Sequence, residues 1–240
     1  MRLFFKRASA QGLVYGLSIG LALAWTMGAS AQGYPTGPIS LVVPFAAGSG
    51  TDAVARTVGQ KLSERLKQPV VIDNKPGASA QLGAVHVAKA KPDGYTLFMT
   101  TNTSHSANPS LFKSLNYDPI KDFTPIARVG ELPFALVVNP TLPVNSVSEL
   151  ISYGKANPGK LSYATPNSTS LVAMETIKRI AGIDIVGIPY KSSPQAMTDL
   201  LGGQVQVYVV DFGSGMSMLK SDRARTRGVT TAAASRTFPA

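Results

Sequence analysis

Mostly uncharged polar residues recur in short clusters along this chain, each at the end of an apolar run. The clusters are Ala46-Ala47-Gly48-Ser49-Gly50-Thr51-Asp52, Ser79, Thr101-Asn102-Thr103-Ser104-His105, Thr165-Pro166-Asn167-Ser168-Thr169, Tyr190-Lys191-Ser192 and Asp211. The first is the most informative. Its side chains are too small to cover the backbone, and bare amides between a strand's carboxyl end and a helix's amino end suit an anion. Hydroxyl and carboxamide groups in the later clusters extend the same chemistry of neutral donors. For any single residue, loop chemistry or helix capping is an equal alternative. The joint recurrence at strand ends, from both halves of the chain, is what points to a ligand cleft.

Other chemistries lack their parts. A metal site needs several convergent ligands, and the chain offers only His86 and His105 and no cysteine. Neither Ser49, with Ala46 before it, nor Ser214, within Phe212-Gly213-Ser214-Gly215, stands in a Gly-x-Ser-x-Gly elbow. A secreted α/β hydrolase with His105 as base is nevertheless the alternative class. The 48–52 loop lacks both the Gly-Lys-Ser/Thr of a phosphate loop and the third glycine of a dinucleotide fingerprint. Asp211-Phe212-Gly213 has none of the companions of a kinase triplet. No cofactor and no metal are expected. Scattered basic residues without a recognition motif argue against nucleic acid.

The elements that must position these clusters read as alternating strands and amphipathic helices, hence α/β with mainly parallel sheets. Ile39, Leu41, Val42 and Val43 make a buried strand. Asp52 is placed to cap a helix with an apolar stripe at Val54, Val58, Leu62 and Leu66. A strand over 70–72, a turn at 74–77, a helix near 80–90 and a strand over 95–100 follow. At 123–129 and 134–138 two extended runs succeed each other without a helix, marking passage to a second domain. Ser146 and Glu149 form a capping box for a helix that Pro158-Gly159 ends. Strands over 161–165, 185–189 and 205–210 then alternate with helices over 170–181 and 194–201, the latter opened by Pro194. A last strand starts near 227–231.

Residues 1–31 read as a secretory leader: Arg2, Lys6 and Arg7, an apolar run over 12–27, and a cleavage site at Ala29-Ser30-Ala31. That run is shorter than the roughly 20 residues of a membrane span. The full 240 residues carry a net charge of +10; three of the cations and none of the acids lie in the leader, so the mature charge would be +7. A basic exported protein attracts anions. With no cysteine, its stability must come from a hydrophobic core.

These residues resemble the substrate-binding receptors of tripartite tricarboxylate transporters, the Bug family. The resemblance runs from about Tyr34 to Ala240. It rests on Val43-Pro44-Phe45-Ala46-Ala47-Gly48-Ser49-Gly50-Thr51-Asp52, Asn74-Lys75-Pro76-Gly77-Ala78-Ser79, Pro92-Asp93-Gly94-Tyr95-Thr96-Leu97, and His105 with Asn108-Pro109. Tyr117-Asp118-Pro119, Asp122-Phe123-Thr124-Pro125-Ile126, Pro189-Tyr190-Lys191 and Leu200-Leu201-Gly202-Gly203-Gln204-Val205 complete it. It implies a type II periplasmic-binding-protein fold, two lobes joined by hinge strands and closing on a small organic carboxylate. It further implies a monomer, periplasmic after cleavage at Ala31, that delivers ligand to a two-subunit integral membrane permease. The loops at Phe45–Asp52 and Thr165–Thr169 would grip a ligand carboxylate through amides, hydroxyls and ordered water, and Asp211 would face the cleft to receive an amine or hydroxyl.

Three departures stand out. Ala47 replaces a common proline, Ser49 a common glycine, and Asn167-Ser168 a glycine-rich turn. Family members continue well beyond this chain's length, so the resemblance implies an incomplete first lobe with exposed apolar surface, and a truncated, non-functional receptor is a third reading. The expected division is leader 1–31, first lobe 32–131, second lobe 132–224, and a strand within 225–240 returning to the first lobe.

Overall fold

The apolar run at Ile39–Val43 becomes the central strand of a three-stranded parallel sheet. The computed structural model describes residues 33–219 and 225–229; the expected leader, residue 32 and residues 220–224 and 230–240 lie outside them. Strand β1 (Ile39–Val43) pairs on one side with β2 (Val70–Asn74) and on the other with β3 (Thr96–Phe98), so that Leu41 stands opposite both Ile72 and Leu97. Being central, β1 is almost wholly buried, whereas β2 and β3 stay half-buried and Val71 is 54% exposed. The exposed apolar surface expected of this sheet is therefore present.

Helix α1 (Gly50–Leu66) packs on this sheet through Ala55 and Gly59, and the expected stripe of Val54, Val58, Leu62 and Leu66 is only half-buried. Small residues win that face because the helix lies close to it: a Cβ on Gly59 would come 3.0 Å from Ile72 Cδ1. The cap also differs from expectation. Ser49 is the N-cap, its Oγ accepting from Asp52 N–H at 3.2 Å, and Asp52 sits in the first turn with its carboxylate turned back to Gly48 N–H. Helix α2 (Gln81–Ala88) is shorter than predicted, since Ala78, Ser79 and Ala80 all adopt left-handed φ (46°, 52° and 69°) before it starts. That unfavourable run for non-glycine residues is tied down where Asn108 Nδ2 donates to Ser79 O at 2.8 Å. The polar 101–105 segment is a π-type turn over Thr103–Ala107 that leads into α3 (Asn108–Leu111).

The second sheet has five strands in the order β6-β5-β7-β4-β8. Its sequence is β4 (Phe134–Val138), α4 (Val147–Ala156), β5 (Leu161–Thr165), α5 (Ser168–Ala181), β6 (Ile185–Pro189), α6 (Ser193–Leu201), β7 (Val207–Asp211), α7 (Phe212–Leu219) and β8 (Arg225–Val229). β5 runs parallel to β6 and β7, while β4 is antiparallel to β7 and β8. The predicted starts hold: Ser146 Oγ accepts from Glu149 N–H at 3.1 Å, and Pro194 occupies the first turn of α6 behind the cap Ser192. Apolar side chains fill both faces, with Val137, Ala164, Met197, Leu200 and Tyr208 on one and Val138, Leu150, Tyr163, Met174 and Ile185 on the other.

Two expectations need correction here. Residues 123–129 form no strand; only the second extended run does. The strand at 225–229 joins the second sheet, where it hydrogen-bonds the outer edge of β4 with a bulge between Leu136 and Val137, rather than returning to the first. An open edge on the otherwise buried β4 would leave its amides and carbonyls without partners, and β8 supplies them.

Candidate functional site

Both sheets and the linker between them border one cleft of about 430 Å³, within the compact unit that begins at Gly37. Of the residues singled out from sequence, Phe45, Ser49, Gly50, Thr51, Thr101 and Asn102 line it from the first sheet's side, and Asn167, Thr169 and Asp211 from the second's. The arrangement follows from topology. Each of these loops lies at the carboxyl end of a strand, and α1, α5 and α6 all begin at the cleft.

Helix starts leave amides without intrahelical acceptors. In α1 the Ser49 cap takes the N–H of Asp52, and in α5 Asn167 Oδ1 takes that of Ser170 at 2.9 Å. The N–H groups of Thr51, Ser168, Thr169 and Ser193 have no protein acceptor among the described residues. Three positive helix ends, with the spare amides of Thr51, Thr169 and Ser193, thus border the cleft from opposite walls, a suitable setting for an anion. Hydroxyls join the walls directly: Thr103 Oγ1 and Ser168 Oγ are 2.8 Å apart and buried, and Thr169 Oγ1 donates to Asn102 Oδ1 at 3.3 Å. The charged lining groups hold each other or are otherwise engaged. Arg128 pairs with Glu131 on the linker, and both oxygens of Asp211 accept from Ser214.

The remaining sequence candidates stand elsewhere. Asp52, 2% exposed, lies behind the first loop and accepts from Gly48 N–H (3.0 Å), Arg56 Nε (2.9 Å) and Asn74 Nδ2 (2.9 Å). Burial alone would raise its pKa, but those three hydrogen bonds and the Arg56 charge outweigh it and hold the carboxyl below its ordinary value. Ala46 and Gly48 belong to the loop so braced but do not line the cleft. Ser79 gives its carbonyl to Asn108, and Ser104 Oγ sits between Thr100 Oγ1 (2.7 Å) and His105 Nδ1 (2.8 Å). His105 packs among Phe98 and Phe123, with ring centroids 6.0 and 4.7 Å away, and burial lowers its pKa. Thr165 Oγ1 donates to Ile188 O, and Tyr190 Oη to Asp199, which together with burial pushes the phenol up to about 12. Ser168 reaches the cleft's seam through Thr103.

Sequence reasoning missed Thr100, Ser193, Phe134 at the start of β4 and the whole linker contribution of Arg128, Gly130, Glu131 and Leu132, and it named Thr103 only within the 101–105 cluster. Ser193 carried a signal, since it directly precedes the first-turn proline of α6. The linker carried none, because an irregular segment has no periodicity to read. Among the described residues no cluster of His, Asp and Glu is arranged to hold a metal ion, and no helix is long and apolar enough to cross a membrane.

Residues 54–240 match the family model described as tripartite tricarboxylate transporter family receptor. A UPF0065 protein of Bordetella bronchiseptica is 39% identical over 236 residues, covering 95% of this chain and 70% of that protein. An R. palustris protein solved with adipate superposes with a TM-score of 0.82 at 36% identity, covering 84% of this chain and 68% of that one. MatC from Rhodopseudomonas palustris, solved with bound malate, gives 0.79 at 31%, covering 84% and 69%. The chain spans between 62% and 70% of the length of three curated Bordetella relatives. Fold and family are those of solute-binding receptors, and the chain belongs to the tripartite tricarboxylate transporter receptor family, the Bug proteins.

Proposed function

We propose that this chain captures a small organic carboxylate outside the cytoplasm, in the periplasm after removal of residues 1–31, and works as a non-enzymatic monomer. It then delivers the ligand to a two-subunit membrane permease. The observation that carries this reading is the pair of unpaired amides of Thr51 and Thr169 on two sides of one cleft, with that of Ser168 next to Thr169 in the first turn of α5, beside hydroxyls and without a lysine or arginine at those turns. A carboxylate removed from water needs several good donors, and these are present without an ion pair. Similarity to proteins solved with adipate and malate supports the ligand class. Two further expectations stay part of the proposal: residues 32–131 and 132–224 act as lobes, and Asp211 offers its remaining acceptor capacity to a ligand hydroxyl or amine.

Thermal melts with adipate, malate, citrate, aspartate and benzoate test this. A true ligand at 100 times its Kd adds about 2.7 kcal/mol to stability. Ser168→Pro removes one amide at a helix position where proline is tolerated, and Ser168→Ala removes only the hydroxyl. Loss of most of the shift in the proline variant, with less loss in the alanine variant, is the expected pattern. No shift with any acid, or turnover of an ester substrate, overturns the proposal.

A further inference from the structure

The cleft walls meet at one place where neither has a side chain to spare. A Cβ on Gly50 would lie 2.0 Å from Asp211 Oδ1 and 2.8 Å from Leu132 Cδ2, and a Cβ on Gly213 would lie 2.5 Å from Gly50 Cα. The start of α1 and the start of α7 therefore touch backbone to backbone. Across this contact Gly50 N–H donates to Ser214 Oγ at 3.0 Å, Ser214 Oγ–H donates to Asp211 Oδ2 at 2.8 Å, and Ser214 N–H donates to Asp211 Oδ1 at 2.7 Å.

The polarity of this chain of bonds is fixed. A backbone N–H can only donate, so the serine oxygen must accept from Gly50. Its own proton is then left for Asp211, which as a carboxylate can only accept. Asp211 is 6% exposed, and Gly50 is buried. One feature of the sequence that the receptor reading leaves unused, the Gly213-Ser214 pair, is explained together with the bare backbone of Gly50.

We infer that Ser214 is a positioning residue. With Asp211 orienting its hydroxyl, it clasps the first turn of α1 and sets Thr51 N–H at the right separation from the α5 amides in the opposite wall. Gly50 is kept without a side chain so that the clasp can close. Asp211 thereby acts on the cleft through Ser214 and Gly50, whatever else it touches. The consequence for ligand affinity rests on the proposed receptor function; the consequence for wall separation does not.

The chain has no cysteine, so nitroxide labels placed at Gln60→Cys and Arg179→Cys report the distance between the two halves by electron double resonance. Wild type and Ser214→Thr, which keeps the hydroxyl, should share one narrow distance distribution. Ser214→Ala should broaden it. Gly50→Ala, which wedges the walls, should move it to longer distances. Asp211→Asn keeps an oxygen for Ser214 N–H and turns its NH2 toward the serine oxygen, leaving the hydroxyl proton without an acceptor, and should resemble Ser214→Ala. Adipate and malate titrations should show affinity falling at least tenfold in Ser214→Ala and returning in Ser214→Thr. Unchanged distance distributions in folded Gly50→Ala and Ser214→Ala overturn the clasp. A wild type that binds no acid overturns the receptor reading, and the distances still decide the clasp.

Discussion

His105 shows how a residue that looks chemical can be structural. A histidine in a run of hydroxyl residues reads as a ligand donor, yet its ring packs against Phe98 and Phe123, which also stack on each other, with Nδ1 on Ser104. Phe123 arrives from an irregular segment 18 positions downstream, so no local pattern announces the burial. Burial lowers the folded-state pKa below 6.5, and the unfolded chain therefore takes up this proton first as pH falls. Folding stability from this site is intact above about 6.5 and declines as pH drops below it. Melting temperatures of wild type and His105→Gln between pH 7.5 and 5 should diverge accordingly, with the wild type losing more on acidification. Parallel curves would show that the imidazole is not shielded as described.

At the scale of elements, the first loop and α1 owe their shape to Asp52. Its carboxylate joins the loop (Gly48), the helix (Arg56) and the end of β2 (Asn74), and Asn74 Nδ2 also reaches Phe45 O at 3.0 Å. Asp52→Asn would set an NH2 against at least one of these donors and should cost about 2 kcal/mol, measured by urea unfolding at pH 7. Because the folded-state pKa is depressed, this contribution is present above the ordinary 3.8 and is lost as pH falls through the lower folded value. Wild type and variant should therefore converge as pH falls well below 3.8; a constant gap would count against the carboxylate's role. Much at this scale was legible beforehand, because strands, caps and first-turn prolines leave local marks: Ser146, Glu149 and Pro194 stand where they were expected. Helix α7 was not, since Gly213 and Gly215 are poor helix formers, and it forms because Asp211 Oδ1 caps Ser214 N–H while Phe212 and Leu219 pack against the second sheet. Asp52 was assigned one helical turn too early because a serine three residues before it competes for the cap. The linker's share of the cleft is tertiary in origin and has no sequence mark.

For the molecule as a whole, the two halves differ in how well they are covered. Against α1 the first sheet's cluster buries Leu41, Val43 and Ala55 fully, with Phe45, Val70, Ile72, Leu97 and Met99 packed only partly against it. The second sheet is filled on both faces. Burial of apolar surface is the main stabilising term, and local opening follows poor coverage. Amide hydrogen exchange should therefore be faster across β2 and β3 than across β4, β5 and β7 by a factor of ten or more. Equal protection would mean that the half-buried strands are held by something other than the contacts described here.

The donor groups are also divided unequally: α5 and α6 bring Thr169 and Ser193, with Ser168 beside them, while α1 brings Thr51 alone. On the receptor reading, an acid entering a parted cleft meets its main landing ground on the sturdier half. The lighter half then arrives as a lid, so that recognition begins on the part of the molecule least apt to deform.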